Sequence, residues 1–227
     1  MNEILFFLSA IIAYGMIVFV AKYFGKGGLM AWIAASVILA NIAVTKQVKM
    51  FGLDVTLGNI MFSSVYLCTD IISEVYGKKE SKKAVNGGLI AAVGFIVFGN
   101  IINFAIPNDL DYVSGALKEI LAFTSRTTAA SVICFYLSNL CDVWLFDKFR
   151  NKSKKHLWLR NNVCTIVCNC VENFVMIFGA FIGIYDVKTC AMIAACTCVV
   201  EIIAGLLDTP FVYLGRKFAK KEVTNHS

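Results

Sequence analysis

Seven stretches of this chain qualify, or nearly qualify, as membrane-crossing segments, and nothing else in the sequence constrains its fold as strongly. They are residues 4–21, 29–45, 55–73, 84–106, 126–146, 163–185 and 190–214. A spanning helix needs about 20 mostly apolar residues. Composition agrees: 59% of the 227 residues are hydrophobic and 16% charged, against about 45–50% and roughly a quarter in a soluble domain. Two prolines in the whole chain argue against a disordered or linker-rich protein. The expected architecture is an all-α polytopic membrane protein forming a single transmembrane domain over 1–227.

Charge placement sets the expected orientation. Cytoplasmic loops carry an excess of Lys and Arg. Residues 22–28, 74–83, 147–162 and 215–227 together hold sixteen of them, and the alternate stretches 1–3, 46–54, 107–125 and 186–189 hold four. That alternation predicts seven crossings, with the N-terminus outside and the C-terminus in the cytoplasm. The net charge of +6 therefore reflects topology and not a nucleic-acid partner. The first run lacks a basic leader and a clear small-residue cleavage site, so it reads as a retained helix.

The third run poses the functional question. It carries Thr56, Asn59, Ser63, Ser64, Thr69 and Asp70, with Glu74 one turn beyond. An ionisable residue at membrane depth costs about 2.5–3.5 kcal/mol on insertion scales and normally faces a bundle interior or a water-filled cavity. Asp70 and Glu74 are four apart and share a helix face. Asp142 follows Asn139 by three, Glu172 follows Asn169 by three, and Glu201 and Asp208 are seven apart. Arg126 opens the fifth run, and Asn41 precedes Thr45 by one turn. Plainer roles exist for each. Glu74 could pair with Lys78 at a solvated helix end, Asp142 with the basic 147–162 stretch, and Asp70, Glu172 and Glu201 with Arg126 or Lys46. Arg126 and Asp208 could sit at the interface.

Taken together, these groups predict an acidic cavity seeking hydrogen-bond donors. A flat, N–H-rich heterocycle suits it, because charge-assisted hydrogen bonds are roughly twice as strong as neutral ones. Phe62, Tyr66, Trp144 and Trp158 are candidates to stack on such a ring, although lipid or interface packing is the commoner role for any single one of them. Desolvation disfavours an ionised carboxylate, so proton coupling through Asp70 or Glu172 is expected. Gly179 and Gly183 have the spacing that lets membrane helices approach closely. No catalytic motif, phosphate-binding loop or metal-ligand spacing occurs, and His156 and His226 lie in polar stretches. The expectation is a protein without enzymatic activity, cofactor or metal. The nine cysteines fall mostly in or beside apolar runs and read as small buried thiols.

Four motifs, TDIISEVYGKKESKKAV (69–85), LSNLCDVWLFDKF (137–149), HLWLRNN (156–162) and LLDTPFVYLGRK (206–217), resemble the queuosine precursor transporter family, formerly labelled a vitamin-uptake family. The similarity runs from about Asn41 to Lys217. It implies a family core over 29–217, an extra N-terminal helix and loop over 1–28, and a cytoplasmic tail over 218–227. It also implies import of 7-deazaguanine bases (preQ0, preQ1 or queuine) through the cell membrane by secondary or facilitated transport. The residues matching the family's polar positions are Asn41, Thr69, Asp70, Glu74, Arg126, Asp142, Arg160, Asn161, Asn162 and Asp208. Asn169, Glu172 and Glu201 join the expected substrate site from the reading of the runs. Many family members carry Pro near position 64, Asp at the position of Glu172 and Lys at that of Glu201. This chain has Ser64 and reverses the last charge, with Lys46 a candidate compensating partner. The competing reading is a substrate-binding subunit of an energy-coupled vitamin or nucleobase uptake complex. The expected partners are a nucleobase-like small molecule and the lipid bilayer; homodimerisation is entertained without a motif that carries it.

Overall fold

The computed structural model describes residues 1–150 and 170–225, with side chains for 1–131, 133–134, 170–204, 207–208 and 210–219. Seven helices lie among the described residues. They are α1 (Asn2–Tyr23), α2 (Gly25–Ala43), α3 (Asn59–Tyr76), α4 (Lys78–Asn103), α5 (Ser114–Arg150), α6, described over Cys170–Phe181, and α7 (Val187–Asn225). Of these, α1, α2, α4 and the Val187–Ala204 part of α7 are long and apolar enough to cross a membrane. The helices expose large apolar side chains such as Ile4, Ile11 and Phe19 on α1 and Ile90, Phe98 and Ile101 on α4, as lipid-facing surfaces do. The chain is an all-α membrane protein with one small addition.

That addition is a β-hairpin the sequence reading missed. β1 (Gln47–Met50) pairs antiparallel with β2 (Leu53–Thr56), Val48 opposite Val55. Phe51 and Gly52 turn with φ of 54° and 77°, the doubly positive turn that matches strand twist. The expected run 55–73 therefore spends Val55 and Thr56 in a strand, and the helix begins at Asn59. Met50 and Val55 are buried in the main core. A hairpin is legible only from its turn, and Phe-Gly is a weak turn signal beside Asn-Gly.

The expected loop 107–125 is shorter than its apolar pattern suggests. Asp111 accepts hydrogen bonds from the Val113 and Ser114 amides at 2.8 and 2.9 Å, which caps α5 and starts it at Ser114. Asp186 does the same for α7, accepting from the Lys188 and Thr189 amides at 3.1 and 3.2 Å. The Thr189 hydroxyl and those amides hold the Asp186 carboxyl below its ordinary value. At its other end α7 continues as helix to Asn225, where a tail was expected from 218.

Side-chain contacts sort the connections to two ends. At the hairpin end, Asn2 Nδ2 donates to the Lys49 carbonyl at 2.8 Å, and the Phe51 amide donates to Glu3 at 3.1 Å. Gln47 reaches the Tyr185 hydroxyl, in the α6–α7 turn, at 3.3 Å. At the basic end, Lys26 pairs with Glu80 at 3.1 Å and Arg216 with Glu74 at 3.2 Å. Lys83 and Lys26 hold the Glu80 carboxyl below its ordinary value. Among the described residues, the stretches 1–3, 46–54 and 186–189 thus meet at one end, and 22–28, 74–83 and the start of 215–227 at the other.

The main core joins α1, α2, α3 and α7, with Tyr14, Ile17, Leu29, Ile33, Leu67 and Ile71 fully buried. The Tyr14 hydroxyl lies 2.7 Å from Ser63 Oγ and donates towards the Ala204 carbonyl at 3.3 Å. The first helix is therefore packed into the bundle through a buried polar contact. Ser64, where many relatives of the resembled family carry Pro, lies 3.1 Å from Ser36 Oγ and accepts from Trp32 Nε1 at 3.3 Å. It ties α2 to α3 without exposing a polar atom to lipid.

Glycines bring helices close at several points. A Cβ on Gly215 of α7 would stand 2.4 Å from Ile71 Cδ1 of α3, and one on Gly179 of α6 2.7 Å from the Ala130 Cβ of α5. Gly183 does not share this role. Its φ of +84° places it in the turn after α6, so the expected Gly179–Gly183 face does not exist. The cysteines described, Cys68, Cys134, Cys170, Cys190, Cys196 and Cys198, are free thiols.

Candidate functional site

The polar face of α3 is built by its spacing. Phe62, Tyr66, Asp70 and Glu74 recur every fourth residue, so they stack along one side of the helix. The neighbouring helices answer this face level by level. Tyr66 donates its hydroxyl to Glu172 Oε2 of α6 at 2.6 Å. Next to Glu172 on α6, Asn173 donates Nδ2 to Glu201 Oε2 of α7 at 2.6 Å. Glu172 and Glu201 are close enough that each carboxylate feels the other, and both bear on Tyr66.

One turn towards the basic end, the Asp70 residue is exposed. Asp208 of α7 lies near enough to feel its charge. Among the described residues no Lys or Arg contacts Asp70. Beyond it, Glu74 and Arg216 close the row with the 3.2 Å ion pair. The pair is about half exposed, and it replaces the Glu74–Lys78 contact that spacing alone suggested. Thr69 turns away, donating to the Tyr66 carbonyl at 2.8 Å. Pro210 sits inside α7 two residues past Asp208. It has no N–H, so the Leu206 carbonyl loses its helical partner beside the acid.

The remaining expected residues divide. Arg126 is not a counter-ion for the acids. Its Nε donates to the Gly179 carbonyl at 3.0 Å and its Nη2 to the Ile182 carbonyl, which caps the end of α6, where a cation also complements the helix dipole. Lys46 is exposed beside the hairpin, and Asn173, a neutral donor, meets Glu201 instead. Asn41 is buried on α2 and donates to the Val37 carbonyl at 2.8 Å. Asn162 and Asn169 lie outside the described residues, as do Arg160, Asn161 and Trp158. Asp142 and Trp144 lie on α5 with side chains outside them.

One contributor went unnoticed in sequence, and another was expected in a different role. Asn173 sits next to Glu172, but nothing in the sequence ties it to Glu201. Tyr66 was expected to stack, and its hydroxyl is what the site uses; its place four residues before Asp70 was the available signal. Phe62 packs beside Ala130, Cys134 and Met176, a packing role.

Two close pairs of carboxylates in a row between α3, α6 and α7 can bind a cation or a solute rich in N–H donors.

Comparison with known proteins adds the lineage. A family model described as "Putative vitamin uptake transporter" matches residues 56–215. The chain belongs to this transporter family. It is 31% identical over 220 residues to the "Probable queuosine precursor transporter" of Bacillus subtilis (strain 168), covering 95% of each chain. It is 24% identical over 147 residues to the "Queuosine precursor transporter" of Escherichia coli (strain K12), covering 63% of this chain and 62% of that one. No solved structure matches it. Membership and the apolar helices make it a multi-pass protein of the cell membrane.

Proposed function

We propose that this protein imports queuosine precursors, 7-deazaguanine bases such as preQ0, preQ1 or queuine, by secondary or facilitated transport. The chain crosses the membrane seven times, with the hairpin end outside and the basic end in the cytoplasm. The separation of Lys- and Arg-rich from Lys- and Arg-poor connections supports this orientation. The observation that carries the function is the row of acids between α3, α6 and α7, in a family whose curated relatives are named for this cargo.

A guanine-like base presents an N1–H and N2–H2 edge. Asp70 and Asp208 are suited to accept from it at the open part of the row, while preQ1 or queuine places a cationic amine near the Glu172–Glu201 pair. Asn41, Thr69, Asp142, Asn162 and Asn169 belong to the same proposed site on sequence grounds. Arg126 is left out, because its guanidinium donates to the Gly179 and Ile182 carbonyls at the end of α6, and Glu74 acts as a closing ion pair with Arg216.

Purified protein titrated with preQ0, preQ1, queuine and guanine tests this reading. A ligand bound only by the folded state stabilises it by about 2.7 kcal/mol at a hundredfold excess over Kd. At least one of the 7-deazaguanines is expected to raise Tm well beyond guanine. No shift with any of the three contradicts the proposal.

A further inference from the structure

Nearer the hairpin end, three helices bring unused hydrogen-bonding atoms to one level. Asn41 Oδ1 on α2, Asn59 Nδ2 on α3 and Thr128 Oγ1 on α5 are buried and have no partner among the described residues. Their residues are 1%, 3% and 1% exposed. Buried polar atoms are nearly always satisfied, and each one left alone costs about 1–3 kcal/mol. Thr124 Oγ1 on α5 and Thr197 Oγ1 on α7 are likewise unpartnered, and Asn41, Asn59 and Thr128 share a level across α2, α3 and α5.

Register places them at one level of the bundle. Ser36 of α2 meets Ser64 of α3. These helices are antiparallel, so five residues forward on one and five back on the other bring Asn41 level with Asn59. Phe62 of α3 packs beside Ala130 and Cys134 of α5, which runs parallel to α3. Three residues back on each lie Asn59 and the Thr127–Ser131 turn, which holds Thr128. A second route agrees. Gly88 of α4 lies against Ile33 and Val37 of α2, and α4 meets α5 at Gly99–Leu121 and Asn100–Ser125. Carried along 1.5 Å per residue, these contacts put Asn41 level with the same turn of α5.

We infer that Asn41, Asn59 and Thr128 form a neutral subsite on the hairpin side of the acids that reads the lactam edge of a planar heterocycle. A lactam places a carbonyl beside an N–H. Asn59 Nδ2 donates to the carbonyl, Asn41 Oδ1 accepts the N–H, and the Thr128 hydroxyl serves either. Asn41 keeps its orientation because its own Nδ2 is committed to the Val37 carbonyl at 2.8 Å. The inference rests on the proposed function for the planar solute and adds a second station on its path: Asn59 lies eleven residues, about 16 Å, before Asp70 on α3, so the base meets this layer and the Asp70–Asp208 pair in turn.

Full-length protein is titrated with 7-deazaguanine and with 2-amino-7-deazapurine, which lacks both the carbonyl and the adjacent N–H. The wild type is expected to prefer 7-deazaguanine by about tenfold or more, the worth of one or two buried hydrogen bonds. Asn59→Leu is expected to lose about tenfold for 7-deazaguanine. It keeps the analogue within about twofold and does not lower the ligand-free Tm, since it removes an unsatisfied atom. Thr128→Val shows the same pattern more weakly, and it decides the matter if Asn59→Leu does not fold. Equal losses for both ligands, or a preference that survives substitution, overturns the subsite. So does a wild type that binds both ligands alike. A wild type that binds neither removes the proposed function as well.

Discussion

Asn173→Leu is the sharpest probe of how the acids are held. Asn173 is 6% exposed and supplies the 2.6 Å donor to Glu201, a carboxylate already within reach of Glu172. Losing the donor leaves a buried carboxyl oxygen unsatisfied, which costs about 1–3 kcal/mol, and leucine nearly conserves the volume. For a chain of this size 1 kcal/mol moves Tm by about 2–4 °C, so the variant should melt about 2–12 °C lower. The double variant Asn173→Leu with Glu201→Leu should recover most of that loss, because replacing both partners by apolar groups of similar shape is close to neutral. Thermal unfolding of the single and double variants in one detergent measures both. A single variant that melts like the wild type, or a double variant that merely adds the two losses, refutes the idea that Asn173 satisfies the buried Glu201 carboxyl.

Other contacts make simpler predictions. Gly215→Ala should cost about 1–3 kcal/mol by overpacking against Ile71, and Ile71→Val should relieve it by removing the Cδ1 atom that stands 2.4 Å from the new Cβ position; denaturation of the pair checks this. Glu74→Gln should lower Tm by only a few degrees, since the pair with Arg216 is about half exposed and exposed pairs contribute about 0–1 kcal/mol. Asp186→Asn should lower Tm at neutral pH. The wild-type carboxyl titrates below its ordinary value, so its contribution is complete above about pH 4 and disappears as pH falls through the lower folded value. The Tm gap between wild type and variant should close in acid.

The bundle was legible because hydrophobic length and Lys/Arg placement are local signals. The two-ended arrangement follows from them, and contacts as distant as Gln47–Tyr185 and Glu74–Arg216 respect it. The acids on α3 were legible too, because a period of four displays Asp70 and Glu74 on one face. What escaped depends on pairing between helices. Glu201 looked as though it needed a cation such as Lys46, and a neutral amide from α6 meets it instead. Arg126 looked like a counter-ion, yet the end of a helix supplies its carbonyl acceptors. Helix starts at Ser114 and Val187 were readable in principle from Asp111 and Asp186, each with a hydroxyl three residues on. The hairpin at 47–56 was hidden because its strands are short and continuous with apolar runs on either side.

The central claim is that the row of acids carries a donor-rich base across the membrane, and Asp70 is its accessible member. Uptake of radiolabelled 7-deazaguanine base into proteoliposomes containing this chain alone tests it most directly. The account predicts robust uptake by the wild type and almost none by Asp70→Asn, with the two proteins melting at similar temperatures. Equal uptake by the variant, or none by the wild type without an added ATPase, contradicts it.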